Sequence, residues 1–240
     1  DKKDWGTVRD NIDEDLKWIL NSLRYNSDKI KINPKHNQCR FHIYYTSEQG
    51  IENDIKIEIG YMRRIPDLKK DTIQSFTHLT KNSQIEVTTP KKEELFANKF
   101  ATMASRSRTY LNPRDIFDVH SISKEGFNYR LFLELVTIET ILMDMEYSTL
   151  DQVIDLLKEE DISGRVEHLV KEEIDIDDII PNVIAFSEKI LYDLSSDGLD
   201  TIIDQFNSTG NLNMEKFRFK KELHPKLSSH PQLQWLRKKL

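Results

Sequence analysis

The sequence of 240 residues contains one cysteine, seven glycines and no long apolar run. Cys39 has no partner for an internal disulfide, so a reducing cytoplasm suits the chain better than an oxidising compartment, and a buried strand position is expected for it. Because no stretch of about 18 apolar residues occurs, no membrane-spanning helix is expected. The glycines form neither a G-x-x-x-x-G-K-[ST] loop nor a G-x-G-x-x-G turn, which argues against P-loop and dinucleotide-binding proteins.

Charge is distributed unevenly along the chain. The net charge is −6, yet the segment from Lys56 to Arg114 contains twelve Lys/Arg and six Asp/Glu, which leaves −12 for the remainder. A basic segment in an acidic protein can attract a polyanion. Ordinary variation in the mixed charge of helix surfaces is the alternative, and charge alone does not separate the two interpretations.

The hydrophobic pattern predicts an α+β fold with two parts. Residues 1–122 combine strands with helices, whereas residues 123–240 show helical periodicity only, with the junction at Ser121–Gly126. The predicted strands are Cys39–Tyr45, Asp54–Tyr61 and Gln84–Thr88. The predicted helices are Thr7–Leu23, Lys91–Ser105, one capped by Asn112, Phe127–Met145, Thr149–Glu159, Ser163–Glu172, Ile176–Leu194, Gly198–Phe206 and Met214–Leu223.

Two charged side chains share one face of the second predicted strand. Strand alternation places Lys56 and Glu58 opposite the apolar face formed by three isoleucines. A carboxylate on the open face of a sheet edge can ligate Mg²⁺, which prefers oxygen donors, and such carboxylates recur in sites of phosphoryl and nucleotidyl transfer. A solvated strand face is the alternative interpretation.

Four cations follow that strand directly. Arg63 and Arg64, then Lys69 and Lys70, lie where the strand ends. Arginine can bind phosphate oxygens with two parallel hydrogen bonds, so this group is a candidate for holding a triphosphate. A basic surface loop is the alternative.

A lysine interrupts the apolar face of the helix predicted at Lys91–Ser105. Lys99 lies among Phe96, Phe100 and Met103, while small alanines nearby allow a ligand or another backbone to come close. A lysine in such a position can reach a phosphate as a point charge. The alternative is that its ammonium group extends along the apolar surface to solvent.

The next helix begins with an R-D-x-x-D pattern. Asp115 and Asp118 are three residues apart, so they project from adjoining faces of that helix. From there they can orient Lys99 or Arg106 from the neighbouring helix, or activate an acceptor hydroxyl. A structural ion-pair network is the alternative, and Arg114 is a further candidate for phosphate contact.

Taken together, three ordered segments resemble the AbiEii/AbiGii-type nucleotidyltransferase toxin family. They are Asp54–Pro66 (DIKIEIGYMRRIP), Pro90–Arg106 (PKKEELFANKFATMASR) and Arg114–Val119 (RDIFDV). The resemblance lies within residues 54–119; beyond them it extends only to the presence of a helical C-terminal part.

The resemblance implies a DNA-polymerase-β-like nucleotidyltransferase fold and Mg²⁺-dependent transfer of a nucleoside monophosphate from an NTP. Glu58 matches a third metal-binding carboxylate, and Lys99 matches a lysine that contacts nucleotide phosphates. Arg114, Asp115 and Asp118 match the last motif. We expect Glu58, Lys99, Asp115 and Asp118 to be catalytic, Glu58 to bind metal, and Lys56, Arg64, Lys99, Arg106 and Arg114 to bind the nucleotide.

The chain departs from the family pattern at two points. Asn98 replaces the usual glutamate before the lysine, which is expected to weaken local ion pairing. The Gly-Ser loop and D-x-D pair that in the family precede a helix like Thr7–Leu23 are absent from the few residues before that helix. Either the intact protein carries them upstream or it has lost them, and the start at Asp1 without a methionine favours the first alternative.

The leading interpretation is therefore a cytoplasmic nucleotidyltransferase toxin of a toxin–antitoxin or phage-defence pair. The expected partners are an NTP, an acceptor for which tRNA or other RNA is the candidate, and a cognate antitoxin. One alternative is a catalytically inactive module of the same fold that binds RNA or a partner protein. The other is a helical interaction protein whose motif matches are fortuitous.

Overall fold

A computed structural model describes residues 2–24, 29–35, 38–60, 65–77, 84–107, 110–159 and 176–240. Contacts divide the chain into two compact units, Asp1–Arg64 and Ile65–Leu240. Antiparallel strands and α-helices occur together, which confirms the predicted α+β class.

The first unit consists of one helix and a three-stranded antiparallel sheet. Helix α1 is Lys2–Ser22, and strands β1, β2 and β3 are Ile30–Pro34, Gln38–Thr46 and Glu52–Gly60, with β2 in the centre. Cys39 and Phe41 of β2 are fully buried, as expected for Cys39. Their small core is completed by side chains of α1 and of both outer strands: Ile12, Leu16, Ile30, Ile32, Ile57 and Ile59.

The second unit combines a two-stranded hairpin with a set of packed helices. Its strands β4 and β5 pair with each other along their whole length. The bounds are Thr72–Thr77 (β4), Gln84–Thr89 (β5), Lys92–Ser107 (α2), Pro113–Ser123 (α3), Tyr129–Leu142 (α4), Tyr147–Glu159 (α5), Ile176–Ser196 (α6), Asp200–Thr209 (α7) and Pro231–Arg237 (α8).

Helix α4 lies at the centre of the second unit. Asn128 caps it by accepting a hydrogen bond from the Leu131 backbone N–H, which satisfies one of the free donors of the first turn. Every residue from 131 to 142 is buried. A helix that is apolar on nearly all sides is stable only when other elements surround it, and α2, α6, α7 and α8 pack against this one.

The predicted helix Met214–Leu223 is wrong. Only a 3₁₀ turn forms at Met214–Lys216, and turns follow it. The side chain of Glu134 accepts hydrogen bonds from the backbone N–H groups of Arg218 and Phe219, which therefore do not bond within a helix. The apolar spacing that predicted a helix arises because isolated side chains of this irregular segment enter the core.

Three short elements escaped prediction: strands β1 and β4 and helix α8. The dipeptide His230-Pro231 suggests a turn, but His230 caps α8 by accepting from the Gln232 backbone N–H, and Pro231 occupies the first turn. Proline is well tolerated there because its missing N–H would have no helical partner. The predicted helix Ser163–Glu172 lies outside the described residues.

The compact units separate between residues 64 and 65, whereas the sequence predicts a boundary after residue 122. Helices α2 and α3 share one hydrophobic core with the later helices of the second unit. The assignment of 1–122 to a nucleotidyltransferase-like domain and of 123–240 to a helical domain stays a prediction. Among the described helices, none is both long and apolar enough to cross a membrane.

Candidate functional site

Helices α2 and α3 carry most of the candidate site residues, and local sequence signals define where both begin. Pro90 precedes α2, whose first turn contains Glu93 and Glu94, and carboxylates are favoured at a helix N-terminus. Asn112 caps α3, as predicted, by accepting a hydrogen bond of 3.1 Å from the Arg114 backbone N–H. The two helices pack against each other and bring their charged side chains together.

Lys99 of α2 contacts Asp118 of α3. The distance from Lys99 Nζ to Asp118 Oδ2 is 2.6 Å, and about a third of each side chain is exposed. The structure therefore brings together two of the predicted catalytic residues. Lys99 lies at the border of the buried face of α2 and not at its middle, so its ammonium group needs no long path to solvent.

Arg106 and Asp115 form a second link between the two helices. Arg106 lies two turns after Lys99 on α2, and Asp115 lies about one turn before Asp118 on α3. Arg106 Nη1 donates to both Asp115 carboxylate oxygens, at 3.0 and 2.9 Å. The Asp115 side chain is only 6% exposed, whereas that of Arg106 is half exposed. Each carboxylate of the R-D-x-x-D pattern is thus paired with one cation of α2, which joins the two helices at two points.

A shallow cavity of about 240 Å³ opens beside the Lys99–Asp118 pair. Leu95 and Phe96 of α2 and Ile122 of α3 form apolar walls, and Ser121 and Glu125 complete the lining. Small-molecule sites commonly enclose roughly 300–1,000 Å³. The cavity therefore has room for part of a nucleotide, such as a base or a phosphate with its ribose, beside the Lys99 ammonium group.

Glu58, on β3 of the first unit, is held by two cations. Its Oε1 lies 2.6 Å from Arg40 Nε and 3.3 Å from Lys56 Nζ, and 45% of its side chain is exposed. The hydrogen bond from Lys56 is the main reason that the pKa of Glu58 lies below its ordinary value, with Arg40 acting in the same direction against burial. Lys56 and Glu58 share a strand face, as the alternation predicts.

The surroundings of Glu58 do not fit a divalent cation. Mg²⁺ sites place several oxygen donors around the ion, whereas the groups beside this carboxylate are a guanidinium and an ammonium. Within the part of the chain that the structure describes, no cluster of three or more His, Cys, Asp or Glu residues has a geometry that could hold a metal.

Of the two remaining arginines of the predicted nucleotide site, only Arg114 belongs to the described residues. Arg114 has an exposed side chain at the first turn of α3, where it is accessible to an anion. Arg64, together with Arg63, lies outside the described residues.

The sequence did not reveal the contacts of the buried glutamates around α2 and α4. Asn98 Nδ2 donates to Glu139 Oε2 at 3.2 Å, so the amide that replaces the family glutamate faces a buried carboxylate. Glu94 accepts from the Asp67 and Leu68 backbone N–H groups at 3.1 and 3.2 Å. In the sequence, these contacts are indicated only indirectly, by glutamates that occur within strongly apolar helical segments.

Glu134 is the second buried glutamate of α4. It accepts from the Arg218 and Phe219 backbone N–H groups at 2.8 and 3.0 Å. Burial raises the pKa of this carboxyl, and the two backbone hydrogen bonds oppose that effect. Both Glu94 and Glu134 fix irregular chain segments to a helix, so their roles are structural.

Comparisons with known proteins bear on this arrangement. The comparison with curated proteins and the comparison with solved structures returned no match. A family model described as nucleotidyl transferase AbiEii toxin, type IV TA system, matches residues 3–208. That range contains β3, α2 and α3 with all their charged candidates and covers most of the sequence. The chain therefore belongs to the AbiEii nucleotidyl transferase toxin family of type IV toxin–antitoxin systems.

Proposed function

We propose that the protein transfers a nucleoside monophosphate from an NTP to an RNA acceptor, with tRNA among the candidates, and that this reaction is its toxic activity. Family membership supports the reaction class. The observation that carries the proposal is the position of Lys99, held by Asp118 at the edge of a cavity between α2 and α3.

Lys99 is the proposed phosphate-binding residue. Its ammonium group has three donors, and one contact with Asp118 leaves others for phosphate oxygens. A fixed cation next to a triphosphate stabilises the negative charge that develops as pyrophosphate leaves. Asp118 holds the ammonium group in place through Oδ2, and its other carboxylate oxygen is proposed to accept the proton of the acceptor hydroxyl.

Arg106 and Arg114 are proposed to contact the nucleotide from the same pair of helices. Asp115 orients Arg106 through both carboxylate oxygens, so it acts as a positioning residue. Lys56 and Arg64 remain proposed nucleotide contacts. The NTP is proposed to react as its Mg²⁺ complex; because Glu58 is paired with Arg40 and Lys56, it is not proposed to bind that ion. A cognate antitoxin and a cytoplasmic location complete the proposal.

The test is a transfer assay with the full-length protein. The protein is incubated with MgCl₂, total RNA and each of the four α-labelled NTPs in turn, and labelled RNA is resolved on a gel. We expect one NTP to label a discrete RNA species, and Lys99→Ala to remove most of that label. Lys124→Ala, which changes an exposed lysine at the end of α3, is the matched control and should label RNA normally.

Two outcomes would overturn the proposal. If no NTP labels any RNA, a catalytically inactive module that binds RNA or a partner protein explains the chain better. If Lys99→Ala labels RNA as well as the unchanged protein does, the α2–α3 cavity is not the nucleotide site even though transfer occurs.

A further inference from the structure

The irregular segment 214–226 of the second unit is strongly basic and lies beyond the residues that match the family model. It contains five Lys/Arg and two Glu. All five cationic side chains are exposed: Lys216, Arg218, Lys220, Lys221 and Lys226. Its apolar side chains Phe217 and Leu223 are buried, so the segment is anchored to the core while its charges face solvent.

Backbone hydrogen bonds fasten this segment to the start of the second unit. Leu68 and Leu223 form an antiparallel bridge. The Lys69 N–H donates to the Glu222 carbonyl at 2.7 Å, and the His224 N–H donates to the Asp67 carbonyl at 2.8 Å. The backbone of Lys69 therefore lies beside that of Glu222, which follows Lys220 and Lys221 directly and is about 150 positions away in sequence, and the side chains of Lys69 and Lys70 are exposed.

An eighth cation is Lys91, the residue before α2. Lys91 Nζ lies 3.4 Å from Glu222 Oε2. The segments joined at this point carry eight Lys/Arg residues and three exposed carboxylates. We name this the lysine surface, and its cations are Lys69, Lys70, Lys91, Lys216, Arg218, Lys220, Lys221 and Lys226; its carboxylates are Asp71, Glu215 and Glu222.

We propose that the lysine surface binds the phosphate backbone of the RNA acceptor; the identity of the acceptor as RNA rests on the proposed function. Seven of its eight cations are lysines, which contact phosphates as point charges without reading bases. Such contacts supply the sequence-independent part of nucleic-acid affinity. Outside these residues the chain carries a net negative charge, so a polyanion is attracted more strongly to this surface than to an average part of the chain.

The position of the lysine surface relative to Lys99 suits a reaction on bound RNA. Lys92 follows Lys91 directly and begins α2, and Lys99 lies seven residues later on the same side of that helix. At about 1.5 Å per residue, the two are roughly 10 Å apart along the axis. Lys92 also bonds the Gly126 carbonyl, next to Glu125 of the cavity lining. RNA on the lysine surface would therefore run towards the cavity.

The test measures RNA binding separately from transfer. A fluorescein-labelled RNA hairpin is titrated with the full-length protein at several salt concentrations, without NTP. We compare the unchanged protein with a variant that combines Lys69→Ala, Lys70→Ala, Lys220→Ala and Lys221→Ala. Lys158→Ala is the control. Lys158 is an exposed lysine outside the lysine surface and lies among carboxylates, since it is paired with Glu188 and Asp155 is nearby. Thermal unfolding of each variant checks that it folds, and a second variant with arginine at the same four positions restores charge.

We expect the fourfold alanine variant to bind the hairpin at least tenfold more weakly at low salt. The slope of log affinity against log salt should fall by about 3, since each lost phosphate contact removes roughly 0.7–0.9. The arginine variant should bind like the unchanged protein, and so should Lys158→Ala.

Unchanged hairpin affinity in the alanine variant would overturn the lysine surface, whatever the transfer assay gives. The same titration is repeated with fluorescein-labelled polyglutamate. If the alanine variant loses affinity for polyglutamate and keeps its affinity for the hairpin, the surface serves an acidic protein and the RNA proposal is wrong. A protein that binds the hairpin through these lysines but labels no RNA would leave the surface standing and overturn the proposed function alone.

Discussion

Glu58 in the first unit and the carboxylates of α3 in the second unit show two different ways of holding a charge. Glu58 is nearly half exposed and lies between two cations on an open sheet face. Asp115 is almost fully buried and takes both hydrogen bonds from a single arginine. Water competes for the first carboxylate and hardly for the second, so geometry is fixed firmly only in the second.

The α2–α3 site has the better-defined geometry for binding a ligand. Lys99 and Arg106 of α2 are each paired with one carboxylate of α3, and the Lys99–Asp118 pair borders a cavity. On β3 the carboxylate is already neutralised by neighbours on the strand and across it. We therefore expect the larger effects from substitutions between α2 and α3, on activity at Lys99 and on stability at Arg106, and we expect substitutions around Glu58 to change mainly local titration.

The largest effect is expected for Lys99→Ala. Loss of a fixed cation that stabilises transition-state charge typically costs on the order of 10²–10³ in rate, so labelling of RNA should fall by that factor. The free energy of unfolding should change by less than about 1 kcal/mol, because a partly exposed ion pair contributes little. Single-turnover labelling and urea unfolding measure the two quantities. A large loss of stability with unchanged labelling would make the pair structural.

The next effect is expected for Asn98→Glu, which restores the residue usual in the family. The new carboxylate would face Glu139, which is 1% exposed and accepts the Asn98 amide hydrogen bond. Two carboxylates there should lower the free energy of unfolding by about 2–3 kcal/mol, measured in urea. Adding Glu139→Gln to the same protein should recover most of the loss. If Asn98→Glu alone is neutral, the chain accommodates the family pattern without this hydrogen bond.

A smaller effect is expected for Arg106→Ala. The substitution removes both hydrogen bonds to a carboxylate that is 6% exposed, and such charge-assisted bonds are worth about 2 kcal/mol. Arg114→Ala removes an exposed arginine eight residues further along and should lie within about 0.5 kcal/mol of the unchanged protein. Equal losses in both variants would show that Asp115 is stabilised by something other than its guanidinium partner.

The α+β class, the principal helices and the two charged patterns on α2 and α3 were predictable from the sequence. Their signals are local: apolar periodicity, the Asn112 cap, and carboxylates or prolines at helix starts. Pairing of Lys99 with Asp118 followed from the idea that one helix orients charges on the next. Local signals suffice where each element forms from its own residues and only afterwards packs.

The segments that escaped prediction depend on distant partners. Residues 214–223 have the apolar spacing of a helix, but Glu134, some 80 positions earlier, accepts hydrogen bonds from the backbone N–H groups of Arg218 and Phe219. The lysine surface likewise exists only because Leu68 pairs with Leu223. The Asn98–Glu139 contact joins two helices whose relative rotation no local pattern specifies. Each requires knowledge of tertiary packing, which periodicity does not contain.

The smallest effect is expected for Lys56→Ala on β3. The hydrogen bond from Lys56 is the main cause of the lowered pKa of Glu58, so its removal should move that pKa up towards the ordinary value, as measured by NMR titration. A lowered pKa means that the folded state binds fewer protons than the unfolded state near pH 4. The associated stabilisation is complete above the unfolded pKa and is lost as the pH falls through the folded one.

In the Lys56→Ala variant this pH-dependent contribution should shrink, by less than about 1 kcal/mol because the pair is exposed to solvent. Lys17→Ala on α1 removes the same charge from an exposed position of the first unit and should leave the titration of Glu58 in place. If Lys56→Ala moves neither the titration of Glu58 nor the acid limb of the unfolding curve, Arg40 alone holds the carboxylate. The first unit would then resemble the second, with one cation committed to each carboxylate, and the contrast between the two units would rest on exposure alone.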